Sequence, residues 1–482
     1  MKSKKDPGRE IAKIFRSFGA YIRSEEVRAL CRKRPTDFIR VYKFPWFDIL
    51  LFLIFRCKEC ITSELCNYYS SIGWSERRVS RQAAFKAVKK LNPKVFPALI
   101  SKFAELFYRS PLVKTYKGYI LLAEDGTTLN MPATDESLEC FGYVFNQHIK
   151  SNKDIKKATS RSAALYDVTN GLIINFVMKK FIDSELPIAI SQLEESIHHL
   201  GGRAAIYLAD RYYDSVELFS ILESFGMKYC VRGKANFFKR YIEKMKSNDE
   251  WINVEINKPW FKRLKYDLTR ERFSKDPWIK IRVVKYRYTY FNRYGVPVSA
   301  DLIYFTNLSE EEFSADDISK LCAKRWQIET SYKTLKTDYE WERFFTKDCD
   351  SEICSIYAKV LFHNMNGIIR KELDELLEEE PAIQENENKW QYAVNIKQLG
   401  NTLRDENLCR YIRSGNYAKI ETIFDMVVSL IHKLKVPVRP DRHYKRWGKV
   451  VSSGHPTRFR LDGRNWPNTV FVNGHLQTTK PF

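Results

Sequence analysis

The chain has no apolar stretch long enough to cross a membrane. Its most apolar run, Phe44 to Phe55, is 12 residues long and contains Asp48, whereas a spanning helix needs about 20. The opening residues MKSKKDPGRE are basic but lead into no apolar core, so export is not expected and a cytoplasmic location is. The eight histidines form neither HxH nor HExxH, which removes support for a histidine-held metal. Ten cysteines are scattered without a framework, a usage that suits a reducing compartment. Cys57 and Cys60 form a CxxC with Cys66 nearby, but no second Cys/His pair follows at zinc-finger spacing, so buried thiols on a helix are the better reading. No repeat of solenoid period is visible. Acidic residues are also scarce: 59 Asp and Glu face 81 Lys and Arg, a net charge of +22. Such an excess favours a polyanionic partner, nucleic acid or an anionic membrane surface, and the short apolar run makes the membrane the weaker option.

What is present divides along the chain. Its 482 residues, 44% hydrophobic, suffice for several domains. Residues 1–43 are basic and helical in pattern, Pro45 opens an apolar helix to about Cys57, and Thr62 to Tyr69 continues helically. Ser80 can cap a helix from Arg81 to Leu91 that Asn92-Pro93 ends. Ala84, Val88 and Leu91 form its apolar face, leaving Arg81, Lys86, Lys89 and Lys90 to point elsewhere. A short polar turn before a basic helix is compatible with a helix-turn-helix-like DNA reader, although a solvated basic face has the same pattern. Val95 to Tyr108 completes an all-helical region. From Tyr116 the periodicity changes. A strand over Tyr119 to Ala123 ends at Asp125-Gly126, and Asn170-Gly171 joins two strands as a hairpin. A helix follows Ser184, Ala204 to Ala209 is a buried strand ending at Asp210, and a helix and a strand follow to Arg232. This order predicts an α/β core with a mixed sheet. Lys234 to Ala300 reads as a strand-rich insertion, and Asp301 to Thr306 as a returning core strand. Past Lys336, a helix over Asp350 to Glu372 and an acidic exposed connection over Leu373 to Asn388 are expected. Helices then run to about Leu434, ahead of a basic tail.

One helix carries the most chemistry. Asp316 to Lys336 has Ser314 as a plausible N-cap and no Gly or Pro, and Leu321, Ile328 and Leu335 make an apolar seam. Beside it run Cys322, Glu329 and Lys336, with Arg325 one turn before Glu329. Alone, this stripe reads as a solvated charged face. Asp125 and Asp210, each at the end of a core strand, change that reading, because strand ends of an open sheet are where a site is expected. Three carboxylates without His or Cys form a hard-oxygen site suited to Mg²⁺ or Mn²⁺, and two such ions can drive phosphodiester attack. Trp326, next to Arg325, is expected to pack under the helix. Trp251, Trp260 and Trp278 are candidates for core packing or for stacking on a base.

These residues resemble the motifs of the DDE transposases. Asp125 to Thr127 (DGT), Asp210 to Tyr213 (DRYY) and Arg325-x3-Glu329-x6-Lys336 are similar to the pattern of the insertion-sequence-four family, whose third motif reads Tyr-x2-Arg-x3-Glu-x6-Lys. Cys322 stands where that tyrosine is usual, and Tyr212 where glycine often is. The motifs cover about 110–345. The resemblance implies an α/β RNase H-like catalytic core interrupted by a β-rich insertion, with an all-α N-terminal DNA-binding region and a mostly α C-terminal region. On it the chain divides into 1–112 (DNA-binding), 113–233 (core, first part), 234–300 (insertion), 301–345 (core with the catalytic helix), 346–434 (helical) and 435–482 (basic tail). It implies Asp125, Asp210 and Glu329 as catalytic metal ligands for two Mg²⁺ or Mn²⁺ ions, with Arg325 and Lys336 holding phosphates. Arg211, Tyr332, Arg81, Lys86, Lys89 and Lys90 are further candidate DNA contacts. The implied activity is binding of terminal inverted repeats, cleavage, and transfer of 3′ ends into target DNA by a homodimer in a bacterial, nucleoid-associated setting. A non-catalytic DNA-binding protein and a nuclease without strand transfer are the alternatives.

Overall fold

The computed structural model describes residues 6–39, 43–56, 60–145, 156–234, 236–291, 296–379 and 391–438, with the backbone of 468–472 and 475–479. Cys57, most of the expected acidic connection and most of the basic tail lie outside them. A sheet of nine strands runs through the middle: β1 (Ile120–Asn130), β2 (Tyr143–Phe145), β3 (Lys156–Asp167), β4 (Leu172–Lys180), β5 (Ala205–Ala209), β6 (Lys228–Gly233), β7 (Asp249–Glu255), β8 (Trp278–Phe291) and β9 (Pro297–Thr306). Its order is β2-β3-β1-β5-β6-β9-β8-β7, with β4 also on β3. β1, β5 and β6 are parallel, and every other pairing is antiparallel. Apolar side chains fill β5 on both faces, as a central parallel strand covered by helices requires. The β3–β4 hairpin turns at Gly171, whose φ of +72° suits glycine, and Asp167 accepts from the amides of Thr169 and Asn170 at 3.0 Å.

Six helices precede the sheet: Pro7–Ile22, Glu25–Cys31, Trp46–Phe55, Ile61–Ser71, Arg81–Val88 and Val95–Tyr108. Asp6, Ser24 and Ser80 cap the first, second and fifth through side-chain oxygens. The Trp46–Phe55 helix is apolar almost all round because partners surround it. Its Asp48 is fully buried, held by Arg413 at 2.5 and 3.2 Å and by the Tyr68 hydroxyl at 2.8 Å. Arg413 belongs to the C-terminal helices Ile396–Asp405, Leu408–Ser414 and Tyr417–Ser429, so the two ends of the chain share one core. Gly19 marks the closeness of that contact, since a Cβ there would lie 2.3 Å from the Ile412 carbonyl oxygen. Among the described residues no helix is long and apolar enough to cross a membrane.

The structure departs from the sequence expectations in several places. The long helix runs Cys349–Glu379, past Glu372, because Leu373 and Leu377 continue its buried side one turn apart. The 234–300 stretch contains three short helices, Lys239–Ile242, Lys258–Phe261 and Asp267–Lys275, and its strands extend the main sheet through β9. Cys60 is exposed and Cys66 half-buried, so neither is the buried thiol expected. Cys140 and Cys349, distant in sequence, form a disulfide between the end of the Asp135–Phe141 helix and the start of the long helix. Sequence spacing gave no sign of that pairing.

Candidate active site

Register brings the two aspartates together. The last parallel pair between β1 and β5 is Ala123 with Leu208, and Asp125 and Asp210 each lie two residues beyond it. Asp125 therefore stands on β1 beside Asp210, the first residue after β5, and the Asp210 charge reaches the Asp125 carboxyl. Asp125 is not at the end of its strand, as the sequence suggested. β1 runs on to Asn130 because β3 keeps pairing with it, placing Ala164 opposite Asp125. What ends at this level is β5, and that opens a crevice beside β1. Asp210 closes a tight turn there, its Oδ1 accepting the Tyr212 amide at 2.7 Å.

Glu329 comes from a helix packed on β1. The expected single helix is two, Ala315–Lys324 and Trp326–Thr337, with Arg325 at the junction in helical geometry. Hydrogen bonds spanning three residues instead of four, Arg325 amide to Cys322 oxygen and Ile328 amide to Arg325 oxygen, tighten the chain at this point. The first helix has a full capping box, in which Ser314 and Asp317 exchange bonds. Tyr332 and Lys336 fasten the second helix to β1. The Tyr332 hydroxyl donates to the Asp125 carbonyl oxygen at 2.7 Å. The Lys336 ammonium donates to Thr127 Oγ1 at 2.8 Å and to the Thr128 carbonyl oxygen at 2.9 Å, and burial draws its pKa below the usual lysine range.

Arg325 lies between the carboxylates. Its Nη1 is 3.6 Å from Asp125 Oδ2 and its Nη2 is 3.0 Å from Glu329 Oε1. Burial pushes the Asp125 carboxyl up to about 7. Arg325 opposes that rise, while Asp210 and Glu329 add to it. Asp125 thus feels both of the other carboxylates, and an oxygen-only set around it fits a hard divalent cation. Among the described residues, no three His, Cys, Asp or Glu side chains already stand in a metal-holding arrangement. The donor chemistry fits the cation, and the space between two of the donors holds a guanidinium.

Behind this front lies a second layer that sequence reasoning missed. Glu124 is fully buried, neither carboxyl oxygen has a hydrogen-bond partner, and burial, then Asp125 and Glu185, raise its pKa well above the carboxylate range. Glu185, at the start of the Glu185–Ser196 helix, pairs with Arg161 of β3 and accepts from the Tyr213 hydroxyl at 3.4 Å. It presses so close to Gly126 that a Cβ there would lie 2.5 Å from its Cδ. The glycine after Asp125 is thus the one signal in the sequence that something approaches the strand.

Other expectations need correction. Tyr332, read as a DNA contact, is buried at 5% exposure and serves the Asp125 backbone. Trp326, read as packed under the helix, is 62% exposed because the junction at Arg325 turns it outward. Cys322 is buried and interacts with Cys230 of β6. Among the insertion tryptophans, Trp260 packs against Phe237 and Phe238, Trp251 donates to Glu310 at 2.8 Å, and Trp278 is 46% exposed. Arg211, Arg81, Lys86, Lys89 and Lys90 are exposed.

A basic chain with an acidic, oxygen-only site holding an arginine where the central strand β5 of a mixed sheet ends has the makings of a protein that works on nucleic-acid phosphates. Residues 116–365, just over half of the chain, match the family described as Transposase DDE domain, and the chain belongs to that family of DNA transposases. No curated protein matches. Among solved structures, a cryo-EM structure of the piggyBac transposase synaptic complex with hairpin DNA is similar at 12% identity and a TM-score of 0.41, covering 92% of this chain and 85% of that one.

Proposed function

We propose that this chain is a cut-and-paste transposase of the insertion-sequence-four branch. In this reading it binds the terminal inverted repeats of an element, cleaves at its ends, and transfers the 3′-hydroxyl ends into target DNA. One observation carries the reading: Asp210 and Glu329, from two other motifs of a DDE-family stretch, lie close enough to Asp125 for their charges to add to the rise of its carboxyl. Strand order supports an RNase H-like core, since β4-β3-β1-β5-β6 is antiparallel on one side of β1 and parallel on the other. The divisions at 112, 233, 300, 345 and 434 remain our working domain boundaries.

Asp125, Asp210 and Glu329 would hold one or two Mg²⁺ or Mn²⁺ ions, which supply an activated water or 3′-hydroxyl and a charge clamp on the leaving oxygen. The chain's own groups do the rest. Arg325 offers a bidentate fork to a phosphate flanking the reacting one. Lys336 fixes the DGT segment from behind and leaves its charge at the crevice wall. Tyr332 holds the Asp125 backbone still, so the carboxylate needs no rearrangement when substrate arrives. Arg211, with Arg81, Lys86, Lys89 and Lys90 on the helical region, would track the DNA backbone. A homodimer would bridge two ends.

The test is incubation of the full chain with DNA carrying the element's ends and Mg²⁺, mapping the cut positions on both strands. Paired cuts at the ends followed by joined products are expected. Cutting without joining would leave a nuclease, and binding without cutting a repressor-like protein.

A further inference from the structure

Arg325 occupies the space that the carboxylate charges would otherwise share. Its side chain is 12% exposed, between Asp125 at 3.6 Å and Glu329 at 3.0 Å. Two of the three acids are thus engaged by one guanidinium. The arginine stands at a helix junction rather than mid-helix, and its guanidinium has another face to rest on. It lies 6.0 Å from the ring of Trp326, which is exposed.

We propose that Arg325 is an internal counter-ion that competes with the metal, so that metal loading and DNA binding are coupled through this one side chain. The proposal rests on the reading of Asp125, Asp210 and Glu329 as the metal triad. A guanidinium binds a carboxylate and a phosphate with the same planar fork, so a DNA phosphate arriving at the crevice can take over the bond that Glu329 now provides. The two carboxylates, left with less positive charge between them, then favour the cation more strongly. By linkage the reverse holds to the same degree: a cation in the site frees the arginine for phosphate and tightens DNA binding. A transposase with this coupling keeps its cutting site poorly loaded until DNA lies in it.

The test uses Mn²⁺ binding to the full chain, read by electron paramagnetic resonance without turnover. It is run with and without a duplex carrying the element's end. For the unaltered protein, DNA should tighten Mn²⁺ binding by about tenfold, within the usual range of such couplings. Arg325→Gln should bind Mn²⁺ about tenfold more tightly than the unaltered protein when DNA is absent, and DNA should then add nothing. Arg325→Lys, which keeps the charge but not the fork, should fall between the two. A purely structural arginine would give the opposite sign, with the Gln variant binding Mn²⁺ more weakly. That result, or an unchanged affinity, overturns the proposal. Asp125→Asn distinguishes this failure from failure of the triad reading. If it abolishes Mn²⁺ binding while Arg325→Gln changes nothing, the coupling alone is wrong. If it leaves Mn²⁺ binding intact, both fall. Should the Gln variant not fold, the Lys variant carries the test by itself, and equal affinities for it and the unaltered protein overturn the proposal.

Discussion

Two basic segments of this molecule use their charges in opposite ways. On the Arg81–Val88 helix and the two lysines after it, every basic side chain is exposed, while Ala84 and Val88 are buried and Phe85 stacks on Phe345. The nearest acid to Lys89 is Asp348 at 4.0 Å. On the Trp326–Thr337 helix and its preceding arginine, Gln327, Thr330, Lys333 and Thr337 face solvent but three other polar groups turn inward: Arg325 to Asp125 and Glu329, Tyr332 to the Asp125 backbone, Lys336 to Thr127 and Thr128. Both segments look alike in a sequence, since each is an amphipathic helix with Lys and Arg beside an apolar seam. Outward charges add long-range attraction to a polyanion and can be removed with roughly proportional loss. Inward charges fix geometry, so the loss of one disturbs the others it touches.

The sharpest way to separate the two uses is to remove the acids that the inward charges serve. Asp125→Asn, Asp210→Asn and Glu329→Gln should each lower Mg²⁺-dependent cleavage by about a thousandfold or more, while binding of end DNA stays close to normal. Gel-shift and cleavage assays on the same preparations decide it. Any one of the three that cuts at the normal rate removes that residue from the site.

Lys336 tests the boundary between the classes. Lys336→Ala leaves Thr127 Oγ1 and the Thr128 carbonyl without their donor, a loss of about 1–3 kcal/mol for charged hydrogen bonds. Cleavage should fall by roughly 10- to 100-fold, and the unfolding midpoint by several degrees, with little change in DNA affinity. If affinity and its salt dependence drop while cleavage of bound DNA holds, Lys336 acts as a surface lysine and the contrast between the helices collapses.

How much of this was legible beforehand follows from the same contrast. The periodicity of β4, β5 and β6, the Asn-Gly turn and the helix starts at Ser80 and Ser184 are local signals, and the spans expected from them lie close to the observed ones, whereas β1 runs on from Ala123 to Asn130 because of its partner strand. The DGT, DRYY and Arg-x3-Glu-x6-Lys motifs mark where the carboxylates stand in the chain. What sequence could not carry was direction across the fold. Whether Tyr332 looked outward to DNA or inward to Asp125 depends on β1 lying beneath that helix. Trp326 turned outward because of a break at Arg325 that no Gly or Pro announces. Glu124 and Glu185 are ordinary acids in sequence and become a second layer only through β-strand alternation and a close approach at Gly126. The pairing of Cys140 with Cys349 depends on two helices meeting far apart in the chain.

The outward segment should give a smaller and smoother response. Replacing Lys86, Lys89 and Lys90 together with Ala should weaken DNA binding by about tenfold at moderate salt. The slope of log affinity against log salt should shrink by about 0.9 for each DNA phosphate that a lysine no longer neutralises. Cleavage by the bound fraction and the unfolding midpoint should stay near normal, because none of the three is buried. Unchanged affinity across salt would leave these lysines as solvent decoration and move the DNA path elsewhere on the chain.

The smallest effect concerns an inward charge far from any proposed substrate. Glu352 sits fully buried on the long helix, where Ser137 donates to its Oε2 at 3.1 Å and its Oε1 has no partner. Burial pushes its carboxyl up to about 8; Ser137 pulls it down somewhat, and Asp348 and Glu136 push it up. The folded protein therefore binds this proton more tightly than the unfolded chain, whose glutamates titrate near about 4.3. The stability this contributes is fully present below that value and is lost as pH rises through about 8. Glu352→Gln keeps the shape and the Ser137 bond but cannot ionise. It should match the unaltered protein at pH near 5 and melt a few degrees higher near pH 9, as thermal unfolding at the two pH values would measure. An equal difference at both would mean that Glu352 stays neutral or stays charged throughout, and its inward position would then carry no pH dependence.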